Sequence, residues 1–221
     1  PWTLLSNLAL CVNAKVEYSI FHDQQENENI ILSANCAERI LGKSLVRYRL
    51  LGKVTGNDLF TWRAHYHPLF KYLANNQNAY RILVDPFVST NDGTGIVHIA
   101  PAYGEDDYRV ARASHIIAPP ATMHMNVADL KAAMGGAKPS SNAPDLGDLL
   151  DEQASFLPSV SEYAGRFCKD CDKDIIKRLK DEGKLVHQAT LVHSYPFCER
   201  TDTPLIYRAI EAWYVRVEDL R

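Results

Sequence analysis

Short β-rich runs broken by a few helical stretches, without regular strand–helix alternation, predict an α+β fold: a β-barrel-like core of short strands with peripheral helices, not a doubly wound sheet. Two further observations support this. Apolar runs in the first half are bounded by polar or glycine-containing breaks, and only a few stretches read as helical. No internal repeat or second boundary is evident, so residues 1–221 read as a single domain.

Along the chain, Leu10-Cys11-Val12, the run Val16 to Phe21, Ile30-Ile31-Leu32 and Leu45 to Leu50 are the first predicted strands. The polar tract Asp23 to Asn29 reads as a hairpin turn, and Cys36 to Leu41 before Gly42 as a short helix. Leu51 to Leu59 reads as a turn into an irregular aromatic region, followed by strands at Arg81 to Val84 and Gly95 to Ile99. After the Gly104 turn, Asp107 to His115 can form a helix. The tract Ala118 to Asp148, rich in Ala, Pro, Gly, Ser and Asn, reads as a surface insertion. Asp172 is placed to cap a helix carrying Ile175, Ile176 and Leu179 on one face, with Gly183 at its left-handed end and a strand from Leu185 to Val192 beyond.

Composition narrows the function classes. With 46% hydrophobic, 23% charged and 10% aromatic residues, the chain resembles a soluble globular protein, and no stretch is long enough to cross a bilayer. The five cysteines are an odd number scattered over a large domain, which suggests reduced thiols and a cytoplasmic setting. A formal charge of −3 argues against a broad grip on a nucleic acid duplex, so any such contact is expected to be local. The start Pro1-Trp2-Thr3, with neither initiator Met nor basic leader, reads as an excised piece.

The segment from Asn91 to Tyr108 is the most informative chemically. Glycines flank Thr94, a strand runs from Ile96 until Pro101 breaks its hydrogen bonding, and His98 shares a strand face with Ile96. The loop from Pro101 to Glu105 reverses the chain, so Asp107 in the next helical turn is expected back beside His98, with both lining one pocket. Spacing also permits a plainer reading, because the helix dipole favours carboxylates in a first turn and strand histidines are often simply packed. There is no Gly-x-Ser-x-Gly elbow, P-loop or His-Glu-x-x-His pattern. Cys168-x-x-Cys171 with Cys198 and His193 lacks a second Cys-x-x-Cys pair, so no metal is expected. Lys169, Lys173, Lys177, Arg178, Lys180 and Lys184, interleaved with acids, read as a solvated helix face.

The stretch Gly93 to Tyr108 resembles the catalytic stretch of the editing insert, connective polypeptide 1, of isoleucyl-tRNA synthetases. The similarity recurs at Pro1-Trp2-Thr3-Leu4-Leu5-Ser6-Asn7, Val160 to Phe167, Asp172 to Ile176, His193 to Cys198 and Thr203 to Arg208. His98 after Gly-Thr-Gly-Ile-Val and the run His193-Ser194-Tyr195-Pro196 resemble the isoleucine enzymes rather than their valine and leucine relatives. Gly104 to Val110 and Val215 to Glu218 resemble the cytoplasmic eukaryotic type. Four features differ from the family: its threonines precede Pro1, Leu5 stands for a usual proline, Glu199 and Glu211 stand for a tryptophan and a proline, and the Ala118–Asp148 tract is longer.

This resemblance implies the class I synthetase editing-domain fold and hydrolysis of misattached valine, as valyl-tRNA or valyl-adenylate. In an apolar pocket one methylene discriminates only roughly 10- to 200-fold, a range for which isoleucine against valine in this synthetase is the standard example. A second site too small for isoleucine would raise the fidelity, since overpacking is disfavoured. By resemblance Asp107 holds the substrate's α-ammonium and His98 lies against its side chain. Thr3 and Asn7 orient water or the terminal adenosine, and the backbone of Gly93, Thr94 and Gly95 lies close to the substrate. The implied partners are the tRNA 3′ end and the rest of the parent synthetase, with no membrane. No cofactor is implied for this domain, ATP and magnesium being expected only in the synthetic domain. A non-catalytic insert that docks tRNA or protein, and an editing domain for valine or leucine enzymes, remain as alternatives.

Overall fold

The computed structural model describes residues 1–73, 76–118, 146–190 and 194–210. Among the described residues, six strands form two three-stranded sheets. In the first sheet β1 (Ala9–Val12) is central, parallel to β5 (Arg81–Val84) and antiparallel to β6 (Ile96–Ile99). In the second, β2 (Glu17–Asp23) lies between β3 (Glu28–Ser33) and β4 (Tyr48–Thr55), antiparallel to both. The strands are short, as expected, and no closed barrel forms among the described residues.

Strand β1 is apolar throughout because both of its faces are covered. On one face Ala9, Cys11, Leu83 and Ile99 pack with Val110 and Ala111 of α3 (Glu105–Ala113). On the other, Val12, Ile82 and Ile96 meet Tyr18, Ile31 and Val54 of the second sheet and Leu59 of α2 (Gly56–Thr61). Tyr18 is fully buried, and its hydroxyl is satisfied by donating to the carbonyl of Gly95 at 2.7 Å. A separate cluster buries Phe21, Leu32 and Tyr48 beneath α1 (Ala37–Leu41). The third layer of core, around Phe156, Val160 and Tyr163, includes Ile175 and Leu179 of α4 (Asp172–Asp181).

Some elements differ from expectation. The fourth predicted strand starts late, since residues Gly42–Arg47 form a 3-10 turn, and it then continues through the supposed turn as far as Thr55. A register shift opposite Ile20 and Phe21 absorbs Leu51, so the inward–outward alternation that marks a strand is broken there. Residues 185–190 are not a strand: they are largely exposed, with no strand among the described residues pairing with their backbone. Asp172 does not cap α4, which has Cys171 at its N-cap; its Oδ1 instead accepts from the backbone N–H of Trp2 at 2.8 Å. Gly183, at φ +68, does end that helix, with Lys184 N donating to the Leu179 carbonyl at 2.8 Å. The insertion expected over Ala118 to Asp148 falls almost entirely outside the described residues, as does His193.

Candidate active site

Strand β6 organises the residues singled out in the sequence. Strand alternation turns Val97 and Ile99 toward α3, and Ile96 and His98 toward the opposite face. There the His98 Nε2 lies 3.2 Å from the Thr3 hydroxyl, in the first turn of the chain (Trp2–Ser6). That turn is held by the Trp2–Asp172 hydrogen bond and by an edge-on contact of the Trp2 and Tyr103 rings at 4.7 Å. The Nδ1 of His98 is buried and has no partner among the described residues. Burial lowers its pKa to about 4, so the imidazole is neutral near pH 7.

Asp107 reaches the end of β6 from the other side. Because α3 docks Val110 and Ala111 on the Ile99 face, its first turn meets the strand where Pro101 stops the ladder. The free N–H of Ala100 donates to Asp107 Oδ2 at 2.9 Å. Its Oδ1 has no hydrogen-bond partner among the described residues, and the carboxylate borders an open hollow of about 370 Å³ with Phe87, Tyr103, Gly104, Glu105, Asp106 and Tyr207. Burial raises its pKa, opposed by the Ala100 N–H and reinforced by the negative Asp106. Gly104 is required by this arrangement, since a Cβ there would sit 2.8 Å from the Asp107 Cγ.

His98 is not among the residues lining the Asp107 hollow, so the two side chains flank the end of β6 instead of meeting in one cavity. The charge of Asp107 is felt by Cys11, whose thiol burial and nearby acids push up to about 12; Cys11 lies on the α3 face of the sheet. The reason is tertiary: the docking face of α3 decides on which side of the strand its first turn arrives.

The remaining candidates are engaged structurally. Asn7 donates from Nδ2 to the Ala9 carbonyl at 2.8 Å, and its Oδ1 accepts from the Tyr66 hydroxyl. Gly93, Thr94 and Gly95 lie at the start of β6, away from Ala100, and stitch it to the second sheet. Ser33 N donates to the Thr94 carbonyl at 2.8 Å, and Arg39 donates to the Gly93 carbonyl at 2.9 Å. Gly95, at φ +75, lets the Ser33 side chain pack directly on its backbone. Cys168 and Cys171 are buried thiols in the turn before α4, and burial pushes Cys168 up to about 11. No group of three or more potential metal-binding side chains gathers among the described residues, and no helix there is long and apolar enough to cross a membrane.

Sequence reading missed Phe87, Tyr103 and Tyr207. Tyr103 and Gly104 fall within the informative segment, whereas Phe87 and Tyr207 arrive from distant parts of the chain and leave no local signal.

No family model matches the chain. Its fold is that of the CP1 editing domains of class I synthetases: it aligns with the crystal structure of GlLeuRS-CP1, a leucyl-tRNA synthetase domain, at a TM-score of 0.53 and 16% identity, over 86% of this chain and 82% of that one. Over its whole length the chain is 40% identical to the probable cytoplasmic isoleucine-tRNA ligase of Dictyostelium discoideum, in an alignment of 225 residues covering 19% of that protein. It is likewise 37% identical to the cytoplasmic isoleucine-tRNA ligase of Saccharomyces cerevisiae, spanning 18% of it. The chain therefore belongs to the isoleucyl-tRNA synthetase family and spans about a fifth of the length of the curated relatives it matches.

Proposed function

We propose that this domain hydrolyses valine wrongly joined to the tRNA for isoleucine, or held as valyl-adenylate, within a cytoplasmic parent synthetase. The observation carrying this reading is the half-buried Asp107 carboxylate, fixed by one oxygen to Ala100 and with the other unpartnered among the described residues, in a residue that lines the hollow of a chain of this family. The open oxygen is suited to an α-ammonium, since charge-assisted hydrogen bonds are the stronger kind. The neutral His98, braced by Thr3, supplies an uncharged wall suited to an aliphatic side chain.

An aminoacyl ester is already reactive, so orientation of the substrate and of one water supplies much of the rate. Thr3 and Asn7 offer a hydroxyl and an amide near the first turn for the water or the terminal adenosine, and the Gly93–Gly95 backbone contributes by holding β6. No cofactor enters this hydrolysis; ATP and magnesium serve the synthetic domain. The test is Asp107→Ala in the full-length synthetase. Deacylation of valyl-tRNA should be lost while isoleucine activation persists. Normal deacylation by that variant would remove the role given to Asp107, whereas a wild-type enzyme that fails to clear valyl-tRNA would leave a docking insert.

A further inference from the structure

We infer that Arg208 is a positioning residue for the Asp107 site, acting through Asp148 and Tyr103; this deepens the proposed function and rests on it. The guanidinium donates from Nε to Asp148 Oδ2 at 2.8 Å, with Nη2 in ion-pair contact with the same oxygen at 2.8 Å, and it donates further to the carbonyls of Leu150 and Asp151. The second oxygen of Asp148 accepts from the Tyr103 hydroxyl at 2.9 Å and from Leu150 N at 3.1 Å, and Leu149 N donates to the same hydroxyl at 3.0 Å. Tyr103 is buried and closes the turn that begins at Ala100, its N–H donating to the Ala100 carbonyl at 2.9 Å. Ala100 is the residue whose N–H fixes Asp107.

A second tie runs alongside. Ala209 N donates to the Ala102 carbonyl at 2.8 Å, and Tyr207 borders the same hollow as Asp107. The segment around Arg208 thus straps the Ala100–Gly104 turn: its planar cation binds residues 148–151, and Asp148 there holds Tyr103. Arginine suits this place because its fork satisfies a carboxylate and carbonyls together, which a lysine ammonium does less well. The strap controls where the Asp107 carboxylate stands without touching substrate.

The test compares wild-type, Arg208→Met, Arg208→Lys, Tyr103→Phe and Arg208→Met/Tyr103→Phe forms of the full-length synthetase. Each is assayed for deacylation of valyl-tRNA, with active sites counted by isoleucine activation. Misplacing a reacting group by about 1 Å costs about 100-fold, so Arg208→Met should lower the deacylation kcat by at least about tenfold. The KM should stay within about threefold, because most contacts to the tRNA lie elsewhere. Arg208→Lys should recover part of the loss, and the double variant should be no worse than Arg208→Met, the chain of bonds being already cut. A purely structural role would lower deacylation only in proportion to the fraction of enzyme whose editing domain is unfolded, as read by limited proteolysis, and that result overturns the inference. Additive losses in the double variant also overturn it. If wild-type enzyme itself fails to deacylate valyl-tRNA, the proposed function falls, and this inference with it.

Discussion

Replacing Gly104 with alanine tests the Asp107 setting with one methyl group. The backbone of Gly104 is extended, at φ −144 and ψ 136, so alanine adopts it without strain and the effect is steric alone. The new Cβ would lie 2.8 Å from the Asp107 Cγ, 3.0 Å from its Oδ2 and 3.2 Å from its Cβ. Carbon atoms rest about 3.5–4.0 Å apart, so the carboxylate must withdraw by about 1 Å, away from the Ala100 N–H. Losing a hydrogen bond to a charged group costs about 1.5–3 kcal/mol. Glycine to alanine returns about 0.4–1 kcal/mol through the unfolded chain. The difference, about 0.5–2.6 kcal/mol, corresponds to a fall in melting temperature of roughly 1–10 °C for a domain of this size. The effect on rate should be larger, since a displacement of about 1 Å at a reacting group costs about 100-fold. Valyl-tRNA deacylation by the full-length enzyme carrying Gly104→Ala measures it, with isoleucylation as control. Wild-type deacylation together with wild-type melting would refute the claim that the Ala100 bond sets the working position of Asp107.

Four further outcomes are expected. Asp107 has its pKa raised, first by burial and also by Asp106, so it takes up its proton above the usual carboxylate range and deacylation should fall on acidification there; Asp106→Asn should move that limb to lower pH, and an unmoved limb in a pH–rate profile excludes Asp107 as its source. His98→Ala opens the wall beside the substrate side chain, so hydrolysis of isoleucyl-tRNA should rise about tenfold or more, one methylene being worth that much; isoleucyl-tRNA as durable as with wild type removes His98 as the size gate. Gly95→Ala combines a left-handed φ, costing about 1–2 kcal/mol, with a Cβ 2.6 Å from that of Ser33, costing about 1–3 kcal/mol; a melting temperature within a degree of wild type would contradict this. In native protein Cys198, whose pKa is lowered chiefly by the Thr201 hydroxyl, should be alkylated before the buried Cys168, and mass spectrometry after brief iodoacetamide exposure reads the order.

The sequence disclosed those parts of the structure that depend on local pattern. Strands β1, β2, β3, β5 and β6 are short apolar runs between polar breaks, and α3 and α4 follow a glycine turn and a helical spacing of apolar residues. The part of β4 beyond Leu50 was hidden because a bulge at Leu51 destroys the alternation by which a half-buried strand is known. Residues 185–190 have the composition of a strand but gain nothing from extension without a partner to share hydrogen bonds. At the site, alternation placed His98 on the Ile96 face. The position of Asp107 depended on which face of the sheet α3 would cover, and no spacing encodes that. The aromatic walls at Phe87 and Tyr207 and the Arg208 strap are long-range contacts, invisible until the chain is folded.

The separation of Asp107 from His98 bears on how such a domain would measure its substrate. An aminoacyl ester carries its ammonium and its side chain on one carbon, so a molecule engaging both residues must lie across the end of β6, at Ala100. Hydrogen bonds to β1 hold that strand, and the Tyr103–Ala100 bond closes the turn beyond it. The distance between the ammonium anchor and the side-chain wall is then set by backbone, which deforms less readily than two facing side chains. A gauge of this kind rejects an added methylene because neither end can retreat. The same rigidity makes the gauge sensitive to whatever moves the Ala100–Gly104 turn, whether a methyl group placed at Gly104 or a cut in the Arg208 strap.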